Sequence, residues 1–124
     1  MAGNDLIYTW SGIVLDDQGR PIFVQRAFAN CTASGDTQIV AAQAPGVKTR
    51  VLSMYAIAAS AVTFKFRSAT TDISPSVFLA TNGGFVLPNN DHGWIQTNAG
   101  EALNVNINAN VNVGVQITWI PINP

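Results

Sequence analysis

The sequence predicts an all-β protein, an antiparallel β-sandwich of the jelly-roll type, and three observations carry the prediction. Apolar and polar residues alternate without a slip from Leu103 to Trp119, as in strands with one face in a core and one in water. Short apolar runs recur along the rest of the chain between turn signals rich in Gly, Pro, Asn and Asp. No segment keeps a helical period. Roughly eight to ten short strands favour a sandwich, and eight strands in two sheets suit a jelly roll.

The alternating segment Leu103–Trp119 exceeds the usual length of about 3–10 residues for one strand, so it must turn. A three-residue turn keeps the parity of the buried side chains, whereas a two-residue turn exchanges it. We therefore predict a hairpin with residues 108–110 at its tip and Ile107 opposite Val111, since Asn accepts the left-handed backbone that such a tip needs.

A second hairpin is predicted from residues 47–67, with the turn at 58–61. Its core face would carry Val51, Tyr55, Ile57, Val62, Phe64 and Phe66. Its other face would carry Lys48, Arg50, Leu52, Met54, Thr63, Lys65 and Arg67. The buried residues predicted most strongly are Phe64, Phe66, Val105, Val113, Ile117 and Trp119. Further short strands are predicted at 6–10, 13–15, 22–24, 37–42, 77–79, 85–87 and 94–97.

The chain divides into an N-terminal arm and hairpin, residues 1–36, and a jelly-roll domain, residues 37–124. The arm is unusually apolar for a terminus, and Asp16–Pro21 is a turn signal within it. It either adds strands to its own sandwich or pairs with a neighbouring chain by strand addition, and we favour the second.

Composition limits the classes of function. The chain has 124 residues, 48% of them hydrophobic and only 10% charged, against roughly 25% in an average domain, so partners are expected to cover part of its surface. A net charge of −1 argues against nucleic acid as a partner. No apolar window approaches the roughly 18 residues of a membrane helix, and no signal peptide is recognised at the start. The lone Cys31 cannot form an intrachain disulfide and fits assembly in a reducing place.

Residues that carry chemistry are sparse. His92 is the one histidine, and a triad with Asp91 and either Ser60 or Cys31 lacks any nucleophile signature. Glycoside hydrolysis needs paired carboxylates, whereas Glu101 is better interpreted as a turn residue. We therefore expect no enzyme.

Metal binding has equally little support in the sequence. One Cys and one His fall short of the four ligands of a zinc site. Residues 89–91 offer amide and carboxylate oxygens for calcium, but only one charge, so an Asx-rich turn is the better interpretation. We expect no metal and no cofactor.

Residues 48–119 resemble a family of small bacteriophage structural proteins, the jelly-roll decoration, or cement, proteins of phage heads. The matching segments are Arg50–Ser53, Ala59–Lys65, Ala80–Gly84, Gly93–Trp94 and Gly100–Asn106. These segments are strand and turn signals and cover somewhat over half of the chain. The family supplies no catalytic residues to transfer.

The resemblance implies a virion structural protein that binds the outer capsid surface and stabilises the head. It implies a homotrimer with the major capsid protein as its other partner, located on the virion after assembly in the host cytoplasm. The alternative is a tail or fibre-tip module that recognises host carbohydrate. Candidate partner-binding residues are Tyr8, Trp10, Phe23, Lys48, Arg50, Leu52, Met54, Lys65 and Arg67.

Overall fold

The computed structural model describes residues 6–8, 14–16 and 19–124, which form strands joined by turns, without a helix in these ranges. The strands are β1 (Leu6–Tyr8), β2 (Val14–Asp16), β3 (Pro21–Ile22), β4 (Gln25–Cys31), β5 (Gly35–Val40), β6 (Lys48–Ala58), β7 (Val62–Ser68), β8 (Thr71–Asp72), β9 (Val77–Leu79), β10 (Gly84–Leu87), β11 (Ile95–Gln96), β12 (Leu103–Ile107) and β13 (Val113–Ile122).

Two antiparallel sheets form a sandwich. The front sheet has the order β10-β6-β13-β4, and β11 also pairs with β6. The back sheet has the order β5-β12-β7-β8, and β9 also pairs with β7. Successive strands cross between the sheets, since β4 and β6 lie in the front sheet whereas β5 and β7 lie in the back sheet. Two sheets connected in this way form a jelly roll, so the predicted fold class is confirmed.

The core lies between the sheets and is built by strict alternation. Strands β7 and β12 bury every second residue, and β13 does so as far as Trp119. All six residues predicted to be buried are confirmed in the core: Phe64, Phe66, Val105, Val113, Ile117 and Trp119.

The predicted hairpin of residues 103–119 is wrong. Strand β12 pairs with β5 and β7 in the back sheet, whereas β13 pairs with β4 and β6 in the front sheet. The parity of burial is nevertheless preserved, because two strands that face each other across a core both turn their apolar residues inward. Asn108 and Asn110 stabilise the crossing, since their Oδ1 atoms accept the backbone N–H groups of Thr63 at 2.9 Å and Ser34 at 2.8 Å.

The predicted hairpin of residues 47–67 is also wrong, because β6 and β7 lie in different sheets. Strand β6 contains a β-bulge: Ser53 lies opposite Thr118 but Val51 lies opposite Trp119, so Leu52 is an extra residue. An extra residue exchanges the two faces of everything that follows it on the strand. The inward residues after the bulge are Met54, Ala56 and Ala58, whereas Tyr55 and Ile57 are exposed.

Strands β1, β2 and β3 form a separate small antiparallel sheet. Ile22 of β3 joins a second apolar cluster with Leu52, Ile120 and Ile122. Strand β4 falls within the range assigned to the arm, yet it pairs with β13 from Gln25 to Cys31, and that part of the assignment is therefore corrected. For the residues before β4, the attachment of the arm to a neighbour stays a prediction.

Candidate functional site

The outer surface of the front sheet, called here the front face, is a regular array of side chains. Its central cross-strand row consists of Phe28 on β4, Gln116 on β13, Tyr55 on β6 and Val86 on β10. The complete front face comprises Arg26, Phe28, Asn30, Ser53, Tyr55, Ile57, Gly84, Val86, Gly114, Gln116 and Thr118. Arg26 is the one charged residue in this set.

Several large apolar side chains on the front face are open to solvent. Phe28 is 71% exposed, Val86 72%, Ile57 57% and Tyr55 44%. Single exposed apolar residues are ordinary, whereas a contiguous group of them marks a surface that a partner covers.

Hydrogen bonds between strands hold the polar part of the front face in place. The Tyr55 hydroxyl donates to Oε1 of Gln116 at 2.6 Å, and the hydroxyls of Ser53 and Thr118 lie 2.5 Å apart. Since these groups bond to each other across β6 and β13, fewer of their polar atoms need water. A preformed surface of this kind loses little side-chain entropy when a partner covers it.

Two grooves open on the front face, each beside a glycine. An open groove of about 540 Å³ lies beside Gly114, between Asn30 and Ile57. A second groove of about 310 Å³ lies beside Gly84, between Tyr55 and Val86. A Cβ atom on Gly114 would meet only Asn30 Oδ1, at 3.9 Å, so the first groove lies where its side chain is missing. Depressions thus lie on both sides of the exposed Ile57, and side chains of a partner can fit into them.

The outer surface of the back sheet, the back face, has a different character. Lys65 Nζ lies 2.9 Å from Asp72 Oδ2, and Arg67 lies 3.2 Å from Asp36 and 3.1 Å from Asp72. Asn106 also donates to Asp36 at 2.8 Å. The hydrogen bond from Lys65 holds the pKa of Asp72 below its ordinary value of 3.8, and the charges of Lys65 and Arg67 act in the same direction. Lys65 and Arg67 on the back face thus form ion pairs with Asp36 and Asp72 of the same chain.

The four predicted basic residues do not share one face. Lys65 and Arg67 lie on β7 in the back sheet, whereas Lys48 and Arg50 lie on β6 in the front sheet. Arg50 Nε donates to Oε1 of Gln96 at 2.8 Å. The prediction of a common basic surface fails because it assumed that β6 and β7 pair with each other.

Leu52 and Met54 are wrong as partner-binding residues, because both are buried within the chain. Leu52 is 1% exposed in the second apolar cluster, and Met54 is 5% exposed in the main core. Phe23, by contrast, is 75% exposed next to β4. The side chain of Tyr8 and the whole of Trp10 lie outside the described residues.

The residues considered for catalysis and metal binding differ in their exposure to solvent. His92 and Ser60 are exposed, whereas Cys31 is fully buried. Burial raises the pKa of the Cys31 thiol above its ordinary value of 9.0, and a hydrogen bond with Thr37 opposes this effect. Asn89 donates to Asp91 at 3.1 Å, and Asn90 Oδ1 accepts from the His92 backbone at 2.9 Å, as in an Asx turn.

Glu101 has a structural contact: it accepts hydrogen bonds from Ser68 at 2.7 Å and Asn98 at 3.1 Å. In the described ranges, no group of three or more His, Cys, Asp or Glu residues is arranged to hold a metal ion. Within the same ranges, no helix has the length and hydropathy to cross a membrane.

Sequence reasoning missed the residues that make the front face distinctive: Phe28, Tyr55, Ile57 and Val86. Tyr55 and Ile57 are predicted in the core because the expected hairpin of residues 47–67 places them on the same face as Phe64 and Phe66. The signal that points the other way is the polar partner row on β13: Gln116 and Thr118 must face water, and antiparallel pairing places Tyr55 and Ser53 beside them.

No known protein family matches the chain, and no curated protein matches it. Among solved structures, the chain is similar to a protein of Bacillus endospore appendages, which form a novel family of disulfide-linked pili. The two chains are 16% identical with a TM-score of 0.49, and the similarity covers 82% of this chain and 88% of the other.

Proposed function

We propose that the protein is a virion structural protein of the decoration type, which attaches to the outer surface of a capsid through its front face. The observation that carries this proposal is the contrast between the two outer surfaces of the sandwich. The front face exposes Phe28, Ile57 and Val86 and has one charge, whereas the back face pairs its charges internally.

The chemistry of the front face favours a protein surface as its partner. Ile57 and Val86 are aliphatic and β-branched, so they gain from burial but offer no hydrogen bond. Burying apolar area contributes roughly 25 cal/mol per Å², and stiff β-branched side chains lose little entropy when they are covered. The mixture of apolar anchors with preorganised polar groups is typical of the core of a protein interface.

The alternative function, recognition of host carbohydrate, has weaker support. Glycan recognition requires aromatic platforms with free polar groups beside them, and the Tyr55 hydroxyl already donates to Gln116. The indole Nε1 of Trp94 donates to the Pro88 carbonyl at 2.8 Å. Exposed Ile57 and Val86 beside Tyr55 would add no specificity for a sugar.

Attachment of this kind stabilises a capsid by mass action. A protein that binds the assembled shell but not its free subunits shifts the equilibrium toward the shell. If several copies are joined, each further contact forms at a high effective concentration, so modest contacts add up to firm attachment.

We expect Val86→Asp to abolish or strongly reduce binding of the purified chain to phage heads. The heads come from the phage that encodes the chain and are prepared so that they lack it. A carboxylate buried in an apolar interface must be desolvated without a partner, which costs several kcal/mol. Co-sedimentation of chain and heads measures the binding.

The matched control is Phe78→Asp, because Phe78 is 81% exposed but lies on β9 of the back sheet. The control variant should bind like the unmodified chain. Equal loss in both variants would implicate general damage, and retained binding by Val86→Asp would contradict attachment through the front face. Failure of the unmodified chain to bind heads would refute the proposed function itself.

A further inference from the structure

We infer that strand β4 pairs with β4 of a second copy of this chain, antiparallel and about a two-fold axis at Phe28. The two front sheets then become one continuous sheet of ten strands, five from each copy. This contact goes beyond capsid attachment and does not depend on it.

The geometry of β4 supports the contact. Strand β4 is the last strand of the front sheet and pairs only with β13 among the described residues. It is seven residues long, and its register with β13 has no shift from Gln25 to Cys31. Its outer edge therefore presents a straight row of backbone N–H and C=O groups, with neither a proline nor a bulge to block strand addition.

The opposite edge of the front sheet is protected. Strand β10 is four residues long and is followed directly by Pro88. The chain then turns through residues 89–94 and returns as β11, which pairs with the same strand β6. Short length and proline are two of the devices by which proteins block edge pairing. The contrast identifies β4 as the edge that is open to a partner.

The sequence of β4 is compatible with its own antiparallel copy. With Phe28 on the axis, Ala27 lies opposite Ala29 of the partner subunit, and Arg26 lies opposite Asn30 of the partner subunit. Arg26 is the one charged residue of β4, so this register places no like charges opposite each other. A two-fold contact of one strand with itself is isologous, the commonest arrangement among soluble homo-oligomers.

The exposed apolar side chains around β4 gain from this contact. Phe28, 71% exposed, would lie beside Phe28 of the partner subunit, and aromatic cross-strand pairs stabilise sheets. Phe23 and Val24, 75% and 50% exposed, immediately precede β4 and extend the apolar edge. The row Phe28–Gln116–Tyr55–Val86 then continues across both copies, which doubles the apolar surface on the front side.

The contact competes with the homotrimer expected from the resemblance. Pairing about a two-fold axis consumes the β4 edge of both copies and closes at two subunits. A trimer would need a heterologous contact instead. Sedimentation of the purified chain at micromolar concentration should therefore give a dimer.

Cross-linking tests the register directly. In antiparallel pairs, residues directly opposite each other have Cα atoms about 4.5 or 5.5 Å apart, within the range of about 4.4–6.8 Å that a disulfide accepts. The variant Phe28→Cys, oxidised with glutathione disulfide, should form covalent dimers on non-reducing gels. Phe78→Cys is the matched control, since its side chain is as exposed but lies in the other sheet, and the unmodified chain controls for Cys31.

Charged substitutions at Asn30 test the same register through the stability of the dimer. Asn30→Glu places a carboxylate opposite Arg26 and should strengthen the dimer at low salt, whereas Asn30→Arg should weaken it. Efficient cross-linking of Phe28→Cys alone, with opposite effects of the two Asn30 variants, supports the contact. Cross-linking no better than in the controls, or an unmodified chain that sediments as a monomer or trimer, overturns it. Neither experiment involves capsids, so the outcome is separate from that of the proposed function.

Discussion

Truncation of Phe64 to alanine lowers the free energy of unfolding by about 3–5 kcal/mol. The side chain is fully buried on β7 and connects the two sheets. It meets Phe66 edge-to-face with ring centroids 5.8 Å apart, and it stacks on Phe85 of β10 in the front sheet at 5.6 Å. The alanine variant therefore loses apolar burial and leaves a cavity between the layers.

Urea denaturation followed by circular dichroism measures this change. The matched control is Phe78→Ala, because Phe78 is 81% exposed and its truncation should change stability by no more than about 0.5 kcal/mol. An unchanged midpoint for Phe64→Ala would mean that the parity of β7 is reversed.

Substitution of Gly84 by alanine destabilises the protein by about 1–3 kcal/mol or more. A Cβ atom at this position would lie 2.2 Å from the backbone oxygen of Ala56 and 3.0 Å from Cγ1 of Ile57. Because the first neighbour is backbone, the variant must move β10 away from β6, which weakens the pairing at the edge of the front sheet.

Gly114 is the matched control in the same cross-strand row, since Gly84 and Gly114 lie opposite Ile57 on its two sides. A Cβ atom on Gly114 would find its nearest neighbour, Asn30 Oδ1, at 3.9 Å. Thermal unfolding should show a clear loss for Gly84→Ala and little change for Gly114→Ala. Equal melting temperatures for the two variants would argue against close approach of β10 to β6.

The core was predictable from the sequence because it depends on period-2 alternation, which is a local property. Val105 and Ile117 were assigned correctly although the strands that contain them were placed in the wrong arrangement. Alternation does not distinguish a hairpin from a crossing between two facing sheets, since both arrangements keep the parity of the buried side chains. The sheet to which each strand belongs depends on contacts distant in sequence.

The candidate site was less predictable, and one residue accounts for much of the error. The bulge at Leu52 exchanges the faces of the following part of β6, so Tyr55 and Ile57 face outward. Nothing in the local sequence marks this bulge, which becomes evident only in the register with β13. Phe28 was missed for a related reason, because β4 was assigned to the arm and its exposed edge could not be recognised.

The orientation of the chain on the particle tests most directly whether the front face meets the capsid. A cryo-electron-microscopy reconstruction of virions that carry the chain would show many copies on the head. Phe28, Ile57 and Val86 should face the shell, and the back face, with Lys65 and Arg67, should be turned to solvent. A reconstruction with the back face against the shell, or with density only at the tail, would contradict it.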